Sequence, residues 1–165
     1  MINIVLIEPE IPQNAGNIMR SCAATGSTLY MVKPLGFETD DKHYKRAGLD
    51  YFEYSTVKIV DSFNELQEAN PNTPFFFATT KANKAYSDVK FPKDCFIVFG
   101  KESYGISETI LKNNYENCIR IPMKKETRSL NLATSVGFIL FEALRQNNFP
   151  NLSDEGALTG RIEND

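Results

Sequence analysis

Three polar turns carry the residues of this sequence that could do chemistry: "EPEIPQNAGN", "FGKESYGIS" and "IPMKKETRSLN". The third turn places Ser129 and Asn131 directly before an apolar helical segment. Side chains of these types either cap the helix, by accepting hydrogen bonds from its first N–H groups, or hold a ligand. Both interpretations are open from the pattern alone.

The middle turn contains Gly100 and Gly105 on either side of the carboxylate of Glu102. Glycines allow positive φ and a close approach of the backbone to a ligand. The phosphate-loop pattern G-x-x-x-x-G-K-[ST] is not met, because Cys95 stands at its first glycine and Glu102 at its Ser or Thr. No G-x-G-x-x-G follows the first predicted strand. The segment is therefore a plain turn or a ligand loop of another kind.

The first turn leads into a predicted helix with Asn14 and Asn17 around Gly16. Asn at a helix start is usually a cap. Arg20 follows three residues after Asn17, on the same helix face. A surface arginine is usually only solvated, but Arg20 lies one turn from a strand end, where function tends to gather.

The elements that must position these turns alternate between strand and helix. Strands are predicted at 2–7, 28–32, 57–60, 74–80, 94–100 and 118–123, and helices at 17–26, 62–70, 107–114 and about 131–147. This order predicts an α/β domain, a mostly parallel sheet with helices on both faces. Ligands of such sheets bind beyond the carboxyl ends of the strands, so the three turns are expected to meet in one site.

The last predicted helix is apolar on more than one face. One face is formed by Leu132, Val136, Ile139 and Ala143. Phe138 and Phe141 project to a different side. The second face is covered either by the rest of the monomer or by a partner subunit, and the position of the helix near the chain end favours a homodimer.

Length and composition suit one domain, with 165 residues of which 42% are hydrophobic. We assign residues 1–150 to this domain and 151–165 to a frayed C-terminal tail. No apolar run is long enough for a membrane span, and the N-terminus reads as a strand rather than a signal peptide. Three scattered cysteines and one histidine predict neither a disulfide framework nor a metal site. A reduced, cytoplasmic protein is expected.

The formal net charge of −3 argues mildly against nucleic-acid binding, but basic residues cluster locally. One cluster comprises Lys42, His43, Lys45 and Arg46, and the other Lys124, Lys125 and Arg128. They are either solvated patches or phosphate-binding surfaces.

Taken together, the segments "PEIPQNAGNIMRSCAATG", "FIVFGKESYGIS" and "IRIPM…RSLNLATSVGFILFEALRQ" resemble the SPOUT superfamily of RNA 2′-O-methyltransferases. Within it, the chain is similar to the small single-domain branch that acts on the tRNA wobble position. "KPLGF" and "DDKHYKRAGLDY" also resemble that branch. The resemblance extends from Met1 to about Pro150.

The resemblance implies an α/β-knot fold with a C-terminal trefoil knot, an S-adenosyl-L-methionine cofactor, a homodimer and no metal. The implied reaction is 2′-O-methylation of the wobble cytidine or carboxymethylaminomethyl-uridine in the tRNA anticodon loop. Methylation of another RNA such as rRNA, or cofactor and RNA binding without catalysis, are the alternatives.

The resemblance also assigns roles to individual positions. The implied catalytic residues are Arg20, Ser129 and Asn131. The implied cofactor-binding residues are Thr79, Gly100, Glu102, Ile121, Met123, Ser129 and Leu130. Lys42, Lys45 and Arg46 are the candidates for RNA binding. The chain departs from the family pattern at Lys101, where arginine is commoner, and at "NLATSV", where "NLSNSV" is more usual.

Overall fold

A computed structural model describes residues 1–39, 42, 44, 46 and 51–158 of the chain. Its centre is a seven-stranded sheet in the order β3-β2-β1-β6-β4-β7-β5, in which every neighbouring pair is parallel. The strands are β1 (Ile2–Ile7), β2 (Thr28–Val32), β3 (Thr56–Val60), β4 (Phe75–Ala78), β5 (Lys84–Ala85), β6 (Cys95–Phe99) and β7 (Cys118–Arg120). The predicted α/β class with a parallel sheet is confirmed.

The helices α1 (Pro12–Thr25), α2 (Phe63–Glu68) and α3 (Glu108–Asn113) lie between strands, and α4 (Leu132–Gln146) follows β7. Short 3₁₀ helices lie at Phe52–Tyr54, Tyr86–Asp88 and Tyr115–Asn117. Ser62 and Ser107 cap α2 and α3 through their side chains, and Gly26 ends α1 in the left-handed conformation at φ 66°. These three boundaries agree with the sequence-based prediction.

Helices cover both faces of the sheet. Alternate residues of each strand point to opposite sides, so both faces carry apolar side chains that must be buried. Ile4 and Leu6 of β1 pack in the core cluster that contains Ile18 of α1 and Ile139 of α4. The intervening Val5 lies in the second cluster, with residues of α2 and α3. The residues of β1 are all buried, which explains why its sequence is continuously apolar.

Two element boundaries differ from the prediction by three residues or more, and one strand was missed. Helix α1 begins at Pro12 rather than Asn17, since proline at the first helical position loses no hydrogen bond and has a suitable φ. Strand β7 ends at Arg120, before Pro122, and does not continue to position 123. Strand β5 was not predicted, because two residues, Lys84 and Ala85, provide no apolar pattern.

Within the described residues, no helix is long and apolar enough to cross a membrane. The division at residue 150 and the trefoil knot stay predictions. Residues 159–165 of the predicted tail lie outside the described part of the chain.

Candidate active site

A cavity of about 500 Å³ lies at the carboxyl ends of β4, β6 and β7. Its walls come from the segments that follow these three strands, together with Ile11 and Asn14 at the start of α1. The three polar turns of the sequence therefore meet at one place, as the general rule for parallel sheets predicts. The volume is in the range of small-molecule sites.

Most of the site residues implied by the resemblance line this cavity. They are Thr79, Gly100, Glu102, Ile121, Met123, Ser129, Leu130 and Asn131. Arg20 is not among the lining residues; it is exposed on α1. The structure thus groups the predicted cofactor residues and separates Arg20 from them within one chain.

The lining divides into an apolar wall and a polar rim. Ile121, Met123, Leu132 and the fully buried Ile139 supply apolar surface suited to a flat, weakly polar ring. The polar groups include the hydroxyls of Thr79 and Ser129 and the backbone of the turn at 100–105. Such a lining fits a ligand that is partly aromatic and partly polar.

Glu102 connects the middle turn to the start of α1. Its carboxylate accepts hydrogen bonds from the backbone N–H groups of Glu10 at 2.8 Å and Ile11 at 3.3 Å, and from Asn14 Nδ2 at 2.9 Å. The N-cap residue Ile11 has no side chain that could cap the helix. The Glu102 carboxylate, from a loop distant in sequence, therefore accepts hydrogen bonds at the N-terminal end of α1. The helix dipole also favours negative charge there.

Asn14 extends this connection to the third turn. Asn131 Nδ2 donates to Asn14 Oδ1 at 2.9 Å, while Asn131 Oδ1 accepts from the backbone N–H of Thr134 at 3.2 Å. Asn131 is therefore the N-cap of α4 and at the same time lines the cavity. The capping interpretation of the polar turn is confirmed for this residue, whereas the ligand interpretation stays a prediction.

Sequence reasoning missed the role of Asn14, which it treated as a helix cap. Asn14 lies within the first turn of α1 and is 6% exposed, so its amide faces the interior. The available signal was its place at a strand-to-helix junction, but its partners Glu102 and Asn131 are far away in sequence.

The turn from Gly100 to Gly105 is held rigidly. A Cβ on Gly100 would lie 2.0 Å from the carbonyl carbon of Gly105, so no larger residue fits there. Gly105, at φ 72°, donates its N–H to the carbonyl oxygen of Lys101 at 2.8 Å. Ser103 donates through its backbone N–H and its hydroxyl to Glu10, at 2.9 and 2.8 Å. The cavity is thus lined on this side by a preorganised backbone.

Lys101, the position that departs from the family pattern, forms an ion pair with Glu8 at 2.7 Å. The hydrogen bond to this carboxylate raises the pKa of Lys101 above its ordinary value. The ammonium therefore stays charged at neutral pH and ties the middle turn to the end of β1.

Arg20 has an aromatic partner. Its guanidinium carbon lies 4.7 Å from the centre of the Tyr51 ring, and Nη2 donates to Tyr51 Oη at 3.5 Å. Tyr51 is half-buried. The distance is well within the range of a cation–π contact.

The basic side chains of the two clusters that the structure describes are exposed. This holds for Lys42 and Arg46, and for Lys124, Lys125 and Arg128, while His43 and Lys45 lie outside the described residues. Tyr44, within the first cluster, is 3% exposed and packs against Phe37. Its ring is therefore not available for stacking on an RNA base.

The cysteines offer no reactive thiolate. All three are buried and free, and burial raises the pKa of Cys22 and of Cys95 to about 12. Nucleophilic catalysis by a thiolate therefore does not fit this structure. Among the described residues, no group of three or more His, Cys, Asp or Glu side chains forms a metal site.

The parallel sheet and the cavity at its carboxyl edge define an α/β protein whose ligand site is built from strand-end turns. The profile of the SpoU rRNA Methylase family matches residues 1–141, and the chain belongs to this family.

Relatives cover nearly the whole chain. The tRNA (cytidine(34)-2′-O)-methyltransferase of Aeromonas hydrophila subsp. hydrophila is 46% identical over 147 residues, 88% of this chain and 94% of the relative. A structure described under "Structural insights into the 2-OH methylation of C/U34 on tRNA" is 38% identical, with a TM-score of 0.86 over 90% of this chain and 97% of that chain. The SpoU methyltransferase AviRb of Streptomyces viridochromogenes, in complex with AdoMet, shares the fold at 23% identity and a TM-score of 0.78, over 88% of this chain and 57% of that chain.

Proposed function

We propose that this protein transfers a methyl group from S-adenosyl-L-methionine to the ribose 2′-hydroxyl of the wobble nucleotide in tRNA. The substrate nucleotide is cytidine or carboxymethylaminomethyl-uridine of the anticodon loop. The observation that carries the proposal is the meeting of the three polar turns at one preorganised cavity. The family and the activities for which the close relatives are named support the type of reaction and the choice of tRNA as substrate.

The cavity fits the proposed cofactor. The apolar side chains of Ile121 and Met123 suit the adenine ring, and Leu130, 39% exposed, borders the same space. Thr79, Ser129 and the backbone at Gly100 provide polar groups for the ribose and the amino-acid part. When bound, S-adenosyl-L-methionine supplies a methyl group that its sulfonium activates for displacement.

In the reaction the ribose oxygen forms a bond to the methyl carbon, the electron pair of the broken carbon–sulfur bond stays on the sulfur, and the hydroxyl proton passes to solvent water. A ribose hydroxyl is a weak nucleophile, so accurate positioning is required. Arginine is protonated at any working pH and is a poor general base. We therefore assign Arg20 to the developing alkoxide or to the adjacent phosphate.

Ser129 and Asn131 act by orientation. Both polar ends of the Asn131 amide already have partners within the chain, Asn14 and the N–H of Thr134. Asn131 therefore holds the third turn in place, whereas the exposed Ser129 is available to the substrates. Glu102, whose carboxylate is occupied at the start of α1, contributes in the same way.

A homodimer would explain two features at once. Phe138 and Phe141 of α4 are 49% and 48% exposed in the single chain, and a partner subunit would cover them. Arg20 does not line the cavity of its own chain, so an interface that brings α1 of one protomer to the cavity of the other would complete the site.

The RNA surface that we propose is the basic cluster Lys42, Lys45 and Arg46, joined by Lys124, Lys125 and Arg128. Phosphate contacts from these side chains would supply the salt-dependent part of the affinity. We propose that the reaction takes place in the cytoplasm, where tRNA is available.

Ribosomal RNA is the second candidate substrate, favoured by the description of the family itself. Purified protein incubated with labelled S-adenosyl-L-methionine and with either bulk tRNA or ribosomal RNA separates these options. Incorporation into tRNA alone supports the proposal. Incorporation into ribosomal RNA alone selects the second candidate, and none into either RNA indicates a binding module.

A further inference from the structure

We propose that Tyr51 is a positioning residue that holds the guanidinium of Arg20 in place without neutralising its charge. The inference rests on the proposed function, because that function gives Arg20 its task at the ribose or phosphate. It adds Tyr51 to the residues of the proposed active site. It also explains how the exposed side chain of Arg20 is held in place while its charge stays available.

The geometry limits the motion of an otherwise flexible side chain. Arg20 contacts Tyr51 twice, through the ring face at 4.7 Å and through a long hydrogen bond to the hydroxyl at 3.5 Å. An exposed arginine without such contacts would sample many rotamers, and ordering it during catalysis would cost conformational entropy. With Tyr51 in place, part of this ordering is already present before the substrate binds.

Because the partner of Arg20 is an aromatic ring rather than a carboxylate, the positive charge of the guanidinium is not neutralised. A carboxylate would take up the paired N–H groups of the guanidinium and cancel its charge, as in bidentate ion pairs. Among the residues that the structure describes, none forms an ion pair with Arg20. A ring face leaves N–H donors at the edge of the guanidinium directed outward, available to an alkoxide or a phosphate oxygen.

The position of Tyr51 in the chain connects two functional segments. It follows the segment with the basic cluster and immediately precedes the short helix Phe52–Tyr54, which contacts α1. The orientation of Arg20 therefore depends on how the short helix Phe52–Tyr54 packs against α1. Tyr51 links the proposed RNA-binding segment to the proposed catalytic arginine.

The test compares three variants in single-turnover methylation with saturating cofactor and tRNA. Tyr51→Phe keeps the ring and should stay within about twofold of the parent rate. Tyr51→Leu removes the ring and should lower the rate about fivefold, the size of one exposed cation–π contact. The KM for tRNA, the cofactor affinity and the melting temperature should not change. Tyr54→Leu is the matched control, a neighbouring tyrosine that is 73% exposed, and should equal the parent.

A double variant identifies the residue through which Tyr51 acts. In the Arg20→Ala background, adding Tyr51→Leu should have no further effect, since the group that it positions is gone. A parent-like rate in Tyr51→Leu, an equal loss in Tyr51→Phe, or a loss that follows a lower melting temperature overturns the inference. Failure of the parent protein to methylate tRNA rejects the proposed function instead, so the two failures are distinguishable.

Discussion

At the scale of single residues, the site depends on Asn14. This buried amide joins Glu102 of the middle turn to Asn131 of the third turn. Its sequence context indicates only a helix cap. The links to its partners span 88 and 117 residues, and no local pattern contains such distances. Asn14, whose role the sequence did not reveal, thus holds Glu102 and Asn131 at the cavity.

Replacing Asn14 by alanine should destabilise the protein. The change leaves the Glu102 carboxylate and the Asn131 amide each without one partner, which lowers the free energy of unfolding by about 1–3 kcal/mol. Urea denaturation measures this difference. Asn17→Ala is the control, since Asn17 is exposed on the same helix and its loss should change the free energy by less than about 0.5 kcal/mol. Equal stability of the two variants would show that the amide network does not hold the turns.

Arg20→Ala should separate catalysis from cofactor binding. The side chain is exposed, so folding should be intact, and it does not line the cavity, so calorimetric cofactor affinity should stay close to normal. Single-turnover methyl transfer should fall by roughly two orders of magnitude, as for the loss of one preorganised electrostatic group. Arg20→Lys should restore little, because an ammonium lacks the planar fork. Near-parental turnover in Arg20→Ala would move the search to Ser129.

At the scale of elements, the sequence predicts β1, β2 and α4 almost residue for residue. Their apolar runs and the cap at Asn131 are local signals that packing does not override. The predicted start of α1 was wrong, because Pro12 is suited to the first helical position, and β5 was missed, because Lys84 and Ala85 provide no apolar pattern. The alternation of strands and helices allowed the prediction that the turns meet, whereas the roles of individual side chains came from the family resemblance.

The turn after β6 gives a test at this scale. In Gly100→Ala the new Cβ would meet the backbone of Gly105 and Ile106 at 2.0 and 2.1 Å, and the backbone must shift. The free energy of unfolding should fall by about 1–3 kcal/mol, and cofactor affinity should weaken because the turn lines the cavity. Gly156→Ala serves as control, since a Cβ there meets nothing within 4 Å. If Gly100→Ala binds cofactor normally, this turn is not part of the cofactor site.

At the scale of the whole molecule, α4 has one face in the core and another that is exposed. Val136 and Ile139 are fully buried, as the helical pattern predicts, while Phe138 and Phe141 are about half exposed. The sequence identifies the second apolar face, but it does not show what covers it.

The double variant Phe138→Glu with Phe141→Glu should convert a dimer into a monomer. Two carboxylates in an apolar interface must be desolvated without partners, which opposes association strongly. Sedimentation at low micromolar concentration should give twice the monomer mass of 18.6 kDa for the parent and one such mass for the variant. Leu158→Glu, at a fully exposed leucine, should remain dimeric. A monomeric parent that binds cofactor normally would remove the homodimer from the account.

The position of the methyl group on tRNA tests the central claim most directly. Purified protein is incubated with S-adenosyl-L-methionine and tRNA that carries cytidine or carboxymethylaminomethyl-uridine, without a 2′-O-methyl group, at the wobble position. The RNA is then digested and mapped by mass spectrometry. The account predicts one 2′-O-methyl group, on the wobble ribose, and none in a tRNA with a purine there. A methyl group at another nucleotide, or on a base, would contradict it.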